Sequence, residues 1–227
     1  LWTTTRPDRD LPVVDAPAAI TFDGYDVAIA EWGFVPCELT RQCTADVLAG
    51  AATDGVRDYD VAVPARPVLL TLLTSMFLHG GLGHLAGNML YLWVFGNNVE
   101  DAMGRLRFLV FYLLGGIVAG LAQVAVDVRS DVPTVGASGA IAAVLGGYLV
   151  LYPRARVKCW LILIFEVPAI VPLAVWIALQ LREGAAALGG PLEGGGGVAY
   201  WAHIGGFFFG MALVRAFTRE RRRWDGR

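Results

Sequence analysis

The feature that most limits what this chain can become is a series of long apolar stretches separated by short polar ones. A helix needs roughly 20 mostly apolar residues to cross a bilayer. Five segments approach that length: Leu82 to Val99, Phe108 to Val126, Gly136 to Tyr152, Val157 to Leu181 and Ala199 to Phe217. Only 17% of the 227 residues are charged, against about 25% in an average soluble domain, and the mean hydropathy is +0.56. Lipid is therefore the expected solvent, and the expected fold is all-α: a polytopic membrane helix bundle with five spans in this chain. Val68 to Leu78 is too short to cross and reads as an interfacial or re-entrant piece. The expected layout is a polar external region over 1–67, a membrane core over 68–217 and a basic tail over 218–227. Pro168 and Pro172 are expected to kink the fourth span.

Charge gives orientation. The net charge of -2 offers no basic field for nucleic acid. Of the 18 Lys and Arg residues, eleven lie on one side: Arg105 and Arg107 after the first span, Arg154, Arg156 and Lys158 after the third, and six from Arg215 onward. Such residues collect on cytoplasmic loops, so the C-terminus is expected in the cytoplasm and the N-terminal region outside. Cys37 and Cys43 share that region; they are either free thiols or, in an oxidising compartment, a disulfide.

Polar side chains at membrane depth are costly and usually face an interior cavity. Here they are His84, Asn88, Gln123, Ser138, Glu166 and His203. Ser138 opens the third span between Gly136 and Gly139. A serine there is either a helix N-cap or a nucleophile beside free N–H groups that suit an oxyanion. His203 lies one turn before Gly206 and Gly210, a G-x-x-x-G pair that lets helices approach closely in lipid. The small-residue third and fifth spans are expected to pack together, which brings an imidazole to the serine. A serine needs such a base at neutral pH. No carboxylate is placed to orient the histidine, so the economical arrangement is a Ser138–His203 dyad. His84 and Asn88, four residues apart, share a helix face and suit oxyanion donation better than metal binding. His79 is about 140° from His84 on an ideal helix and belongs to a loop that shapes or hydrates the site. Gln123 is expected to make an interhelical hydrogen bond. Glu166 either handles protons, pairs locally or lies near a flexible gate.

Three segments, "HGGLGHLAGNMLYLWVFGNNVEDAMG", "GASGAIAAVLGGYLVLYP" and "GGGGVAYWAHIGGFFFG", resemble rhomboid proteases of the bacterial type. The resemblance runs from about Trp32 to Phe217. It implies a six-helix core in which Ser138 is the nucleophile and His203 the base. It also implies that His84, Asn88 and the backbone N–H of Ser138 hold the oxyanion, with the N–H of Ala137 contributing. His79 matches a family histidine, and Gly206 and Gly210 match glycines at the contact between the serine and histidine helices. Two departures stand out. The first family helix is missing, and residues 1–67 resemble the external loop that follows it. Some members also stack a tyrosine on the histidine from a position that is Ala142 here; either another aromatic, Trp201 or Tyr148, substitutes, or the stacking is absent.

The implied activity is hydrolysis of a peptide bond in or beside a transmembrane segment of another membrane protein. The site would open to the external face of what is expected to be a bacterial cytoplasmic membrane. Partners are membrane-protein substrates and lipid, and no metal or organic cofactor is expected. The expected gate is the fourth span with the glycine-rich segment "LGGPLEGGGG". Two alternatives remain: a catalytically impaired relative that binds membrane proteins, and a proton-coupled transporter using Glu166 and the histidines.

Overall fold

The computed structural model describes residues 28–29, 32–43, 67–130, 132–160, 164–188 and 198–219. The expected polar region over 1–67, the glycine-rich half of the expected gate and the tail beyond Arg219 therefore lie wholly or largely outside the described residues. A short helix α1 (Pro36–Thr40) is closed by the Cys37–Cys43 disulfide. It docks on the loop before Ser138, where the Cys37 N–H donates to the Ser130 carbonyl at 3.0 Å.

Helix α2 (Val68–Thr74) runs into a 3₁₀ turn at Ser75–Phe77. After the loop carrying His79 the chain bends by 83° into a long helical segment, Leu82–Met103. That segment is α3 (Leu82–Tyr91), a π turn at Leu92–Gly96 and α4 (Asn97–Met103). Phe95, Val99 and Met103 recur every four residues and are all buried, forming the stripe that seats this segment on the core. Helix α5 (Arg105–Val126) has 22 residues, about 33 Å at 1.5 Å per residue, enough to span.

Helix α6 (Ser138–Leu151) is the centre of the molecule: every residue from Gly139 to Tyr148 is buried. Its 14 residues make about 21 Å, short of the roughly 30 Å hydrocarbon core. Helix α8 (Tyr200–Phe217) packs along it without side chains between. A Cβ on Gly206 would strike the carbonyl of Gly139, and one on Gly210 the carbonyl of Ala143; one on Gly146 would strike the carbonyl of Phe207. The third neighbour, α5, approaches through a small side chain: a Cβ on Gly139 would lie 2.6 Å from that of Ala119. Small residues thus set the interhelical distances, as expected where lipid removes any hydrophobic drive between helices.

The expected fourth span differs. Arg156–Trp160 and Ile164–Pro168 form antiparallel strands β1 and β2, with Val157 opposite Val167 and Lys158 opposite Glu166. Helix α7 begins only at Ile170 and runs to Ala187. The segment is rich in β-branched and aromatic residues, which favour strands, and Pro168 pushes Val167 away from helical geometry. Pro172 sits in the first turn of α7, where a missing N–H costs no hydrogen bond, so no kink results. Glu166 is exposed on the hairpin and is not buried at mid-span.

Among the described residues two helices are long and apolar enough to cross a membrane, Arg105–Val126 and Ile170–Ala187. A third is reached if the bent pair Val68–Phe77 and Leu82–Met103 counts as one span. Of the other expected spans, α6 falls short in length, and α8 carries His203, Arg215 and four glycine or polar aromatic residues in its first seven positions.

Candidate active site

Ser138 is the first residue of α6, and Ala137 occupies the cap position. The loop before it is fixed at two points. Thr134 and Phe34 exchange backbone hydrogen bonds of 2.7 and 3.3 Å, and the Gly136 N–H donates to the Ser75 carbonyl at 2.9 Å. Gly136 has φ +117°, and a Cβ there would lie 2.7 Å from Cε1 of His84 and 2.9 Å from its Nε2. Only glycine suits both that backbone and that approach. The loop thus comes to rest on the polar face of α3.

That face presents His84 and Asn88. The Gly80 N–H donates to Nδ1 of His84 at 3.2 Å. With Nδ1 accepting, the ring proton resides on Nε2, the atom beside Gly136. Asn88 is buried, and its Nδ2 has no hydrogen-bond partner among the described residues. A Cβ on Gly136 would lie 3.6 Å from that nitrogen. Two side-chain donors therefore converge on the turn that leads into Ser138. His79, buried in the preceding loop, meets the His84 ring edge-on at 5.3 Å. Burial, and after it the neighbouring His84 imidazole, which disfavours a second positive charge, hold His79 below the usual imidazole range, against an upward pull from its hydrogen bond with the Phe77 backbone.

The close contact of α6 and α8 brings His203 to Ser138: Nε2 lies 2.7 Å from Oγ. The serine hydroxyl faces the imidazole, and the cap position is held by Ala137, not by the serine. On its other side, Nδ1 of His203 lies 2.8 Å from Oε1 of Gln180. The Trp176 ring lies 5.8 Å from the imidazole, tilted by 40°.

Neither expected aromatic substitute touches His203 as proposed. Trp201 donates from Nε1 to the Gly184 carbonyl at 3.2 Å; two residues from His203 on a helix, it projects about 200° away. Tyr148 is ten residues along α6 from Ser138, about 15 Å, and packs edge-on against Phe95 at 5.0 Å. The support comes from α7. Trp176 and Gln180 are four residues apart, on a stripe with the buried Leu173 and Gly184. Gln180 escapes notice in the sequence because it stands at the end of an apolar run next to Arg182. For Gln123, expected to make an interhelical hydrogen bond, Oε1 is buried without a partner among the described residues.

Two cavities reach the serine and histidine. One, about 440 Å³, lies under the Pro133–Gly136 loop and is lined by Ser138, His203, His84 and Ala199. The other, about 350 Å³, lies between α3 and α7, with Gly83, Gly87, Tyr91 and Trp176 on its walls and Asn88 at its base. Among the described residues no group of three or more His, Cys, Asp or Glu is placed to hold a metal ion. Chemically the arrangement offers a hydroxyl with a base at hydrogen-bond distance, beside donors without an acceptor.

The family model described as "Rhomboid domain" matches residues 66–220. "Rhomboid protein 1, mitochondrial" of Saccharomyces cerevisiae is 31% identical over 162 residues, 68% of this chain and 44% of that protein. "Presenilin-associated rhomboid-like protein, mitochondrial" of Homo sapiens is 30% identical over 159 residues, 69% of this chain and 40% of its own length. "Rhomboid protease GluP" of Bacillus subtilis is 47% identical over 78 residues, 34% of this chain and 15% of that protein. The chain thus spans less than half the length of these curated relatives.

Proposed function

The chain belongs to the rhomboid family and is an integral membrane protein, and from that premise we propose that it is an intramembrane serine endopeptidase. Its substrates are other membrane proteins, cut within or next to a transmembrane segment. The observation that carries this reading is the 2.7 Å contact between Ser138 Oγ and His203 Nε2, made by two helices whose glycines touch backbone to backbone.

In the proposed reaction His203 Nε2 takes the hydroxyl proton as Ser138 Oγ attacks the carbonyl carbon. The negative charge that develops on the carbonyl oxygen is held by Asn88 Nδ2, His84 Nε2 and the N–H groups of Ala137 and Ser138 at the start of α6. His203 then returns the proton to the departing amine, which leaves an ester on Ser138. A water molecule, deprotonated by the same imidazole, releases the ester. The orphaned Asn88 donor supports the oxyanion role, since a buried donor without an acceptor calls for one. Residues 68–217 form the protease core in this reading, with five spans and a basic cytoplasmic tail after them.

Orientation has two independent supports. Arg107 and Arg219 meet at one end of the bundle, where an Arg107 guanidinium N–H donates to the Thr218 carbonyl at 3.2 Å and the Arg219 N–H to that of Ala102 at 2.9 Å; this is the cytoplasmic end by the positive-inside rule. The Cys37–Cys43 disulfide lies at the other end, against the loop before Ser138, and disulfides belong to oxidising compartments. In this reading the site opens to the outside. The cavity between α3 and α7 is the proposed entry for substrate.

The test is cleavage of a membrane-anchored reporter by purified protein. Ser138→Ala and His203→Ala each abolish cleavage while leaving the melting transition in place. The double variant is no worse than either single, because the two act as one unit. Cleavage at the wild-type rate by Ser138→Ala would refute the assignment.

A further inference from the structure

Family resemblance and sequence both stop at a pair, Ser138 and His203. The structure contains a third group: Oε1 of Gln180 lies 2.8 Å from Nδ1 of His203. An amide oxygen only accepts hydrogen bonds, so this contact requires a proton on Nδ1. A neutral imidazole carries one ring proton. With that proton on Nδ1, Nε2 is bare and accepts the Ser138 hydroxyl, 2.7 Å away. The two contacts agree on one tautomer, the one a general base needs.

We propose that Gln180 is the positioning residue of the His203 base, holding its tautomer and ring plane, so that the Ser138–His203 dyad is oriented by a third side chain. The proposal rests on the dyad reading above and extends it to a residue on a third helix.

The surroundings favour this role over that of a chance neighbour. His203 meets α7 at two places one turn apart. The Trp176 ring leans on the imidazole at 5.8 Å, and Gln180 takes its Nδ1. One contact limits tilt and the other limits rotation about the ring axis. The donor–acceptor separation is that of a well-formed hydrogen bond. The choice of an amide also has a physical reason. A carboxylate orients an imidazole as well and adds charge stabilisation, but an ionised carboxylate at membrane depth is expensive. Glutamine supplies the acceptor without the charge. An amide turned the other way would donate to Nδ1 and place the proton on Nε2, aimed at the serine oxygen, which leaves no base.

The test uses the full chain with ¹⁵N-labelled histidine. It contains three histidines, and His203 is assigned by the signal lost in His203→Ala. In the wild type, the His203 Nδ1 resonance is expected in the protonated range and Nε2 in the unprotonated range. Gln180→Leu, similar in size without an acceptor, is expected to lose that pattern and to lower kcat by roughly 10- to 100-fold, part of the 10²–10⁴ that general-base catalysis supplies. KM should stay within about twofold, because substrate binding is untouched. Gln180→Glu keeps the acceptor at the same reach and is expected to retain the Nδ1 proton and a kcat within about fivefold of wild type. A wild-type His203 protonated on Nε2 would overturn the proposal. So would an unchanged kcat in Gln180→Leu, or a Gln180→Glu variant as impaired as Gln180→Leu. Where Gln180→Leu fails to fold, the wild-type tautomer and the Gln180→Glu rate decide the matter. Failure of the underlying dyad shows itself differently, as cleavage by Ser138→Ala.

Discussion

At Asn88 a side-chain amide is buried with its donor nitrogen unmatched among the described residues, an arrangement that costs about 1–3 kcal/mol of stability. A substrate oxyanion would supply the missing acceptor. Asn88→Ala is therefore expected to slow turnover by about 10²–10³, the usual loss for one oxyanion donor, without lowering the melting temperature, since it removes an unsatisfied group. His84→Ala is expected to slow turnover in the same direction while labelling of the nucleophile stays detectable. An unchanged kcat in the double variant contradicts the oxyanion role. His84, Asn88, Ser138 and His203 were visible in the sequence because each is a polar side chain in or at the start of an otherwise apolar run, where such groups are costly. Trp176 and Gln180 were not visible for the complementary reason. A tryptophan in an apolar stretch carries no signal, and a glutamine beside Arg182 looks like the end of a span.

The helices carry the same lesson at larger scale. The contact of α6 with α8 was legible, because Gly139, Ala142, Ala143, Gly146, Gly206 and Gly210 mark both partners, and in lipid small residues are how helices meet. Gly206→Leu and Gly210→Leu are each expected to lower the melting temperature and to cut activity by about a hundredfold or more. The added side chain meets a carbonyl of α6 in both cases, and a displacement near 1 Å is enough for a loss of that size. Wild-type melting and activity in both variants would mean that this contact does not set the site. The β1–β2 hairpin was not legible. A continuous apolar run does not distinguish a strand from a helix by periodicity, and hydropathy alone carried the segment into the fourth span. The cues that decide it are local: β-branched and aromatic residues together, then Pro168. The helix that follows is held to the core along one stripe, with only Leu173 and Gly184 buried. That one stripe carries Trp176 and Gln180, the two α7 groups that meet His203.

Across the whole molecule, the basic end and the disulfide end lie apart, and the serine is at the disulfide end. Both the distribution of arginines and the docking of α1 beside Ser130 support the proposed orientation, in which the site receives water from outside and substrate from the side. Much of this arrangement follows from lengths. Helix α5 is long enough to cross, while α6 is not. The sequence made the apolar stretches plain and placed Ser138 at the opening of its span, where the structure also has it; it did not reveal that the expected fourth span opens as the β1–β2 hairpin. The central claim is that Ser138 is a nucleophile made reactive by His203. Incubating the folded protein with a fluorophosphonate and locating the adduct by mass spectrometry tests it most directly. The account predicts a single adduct on the Ser138 hydroxyl that is absent from His203→Ala; an adduct on another residue, none at all, or equal labelling in His203→Ala would contradict it.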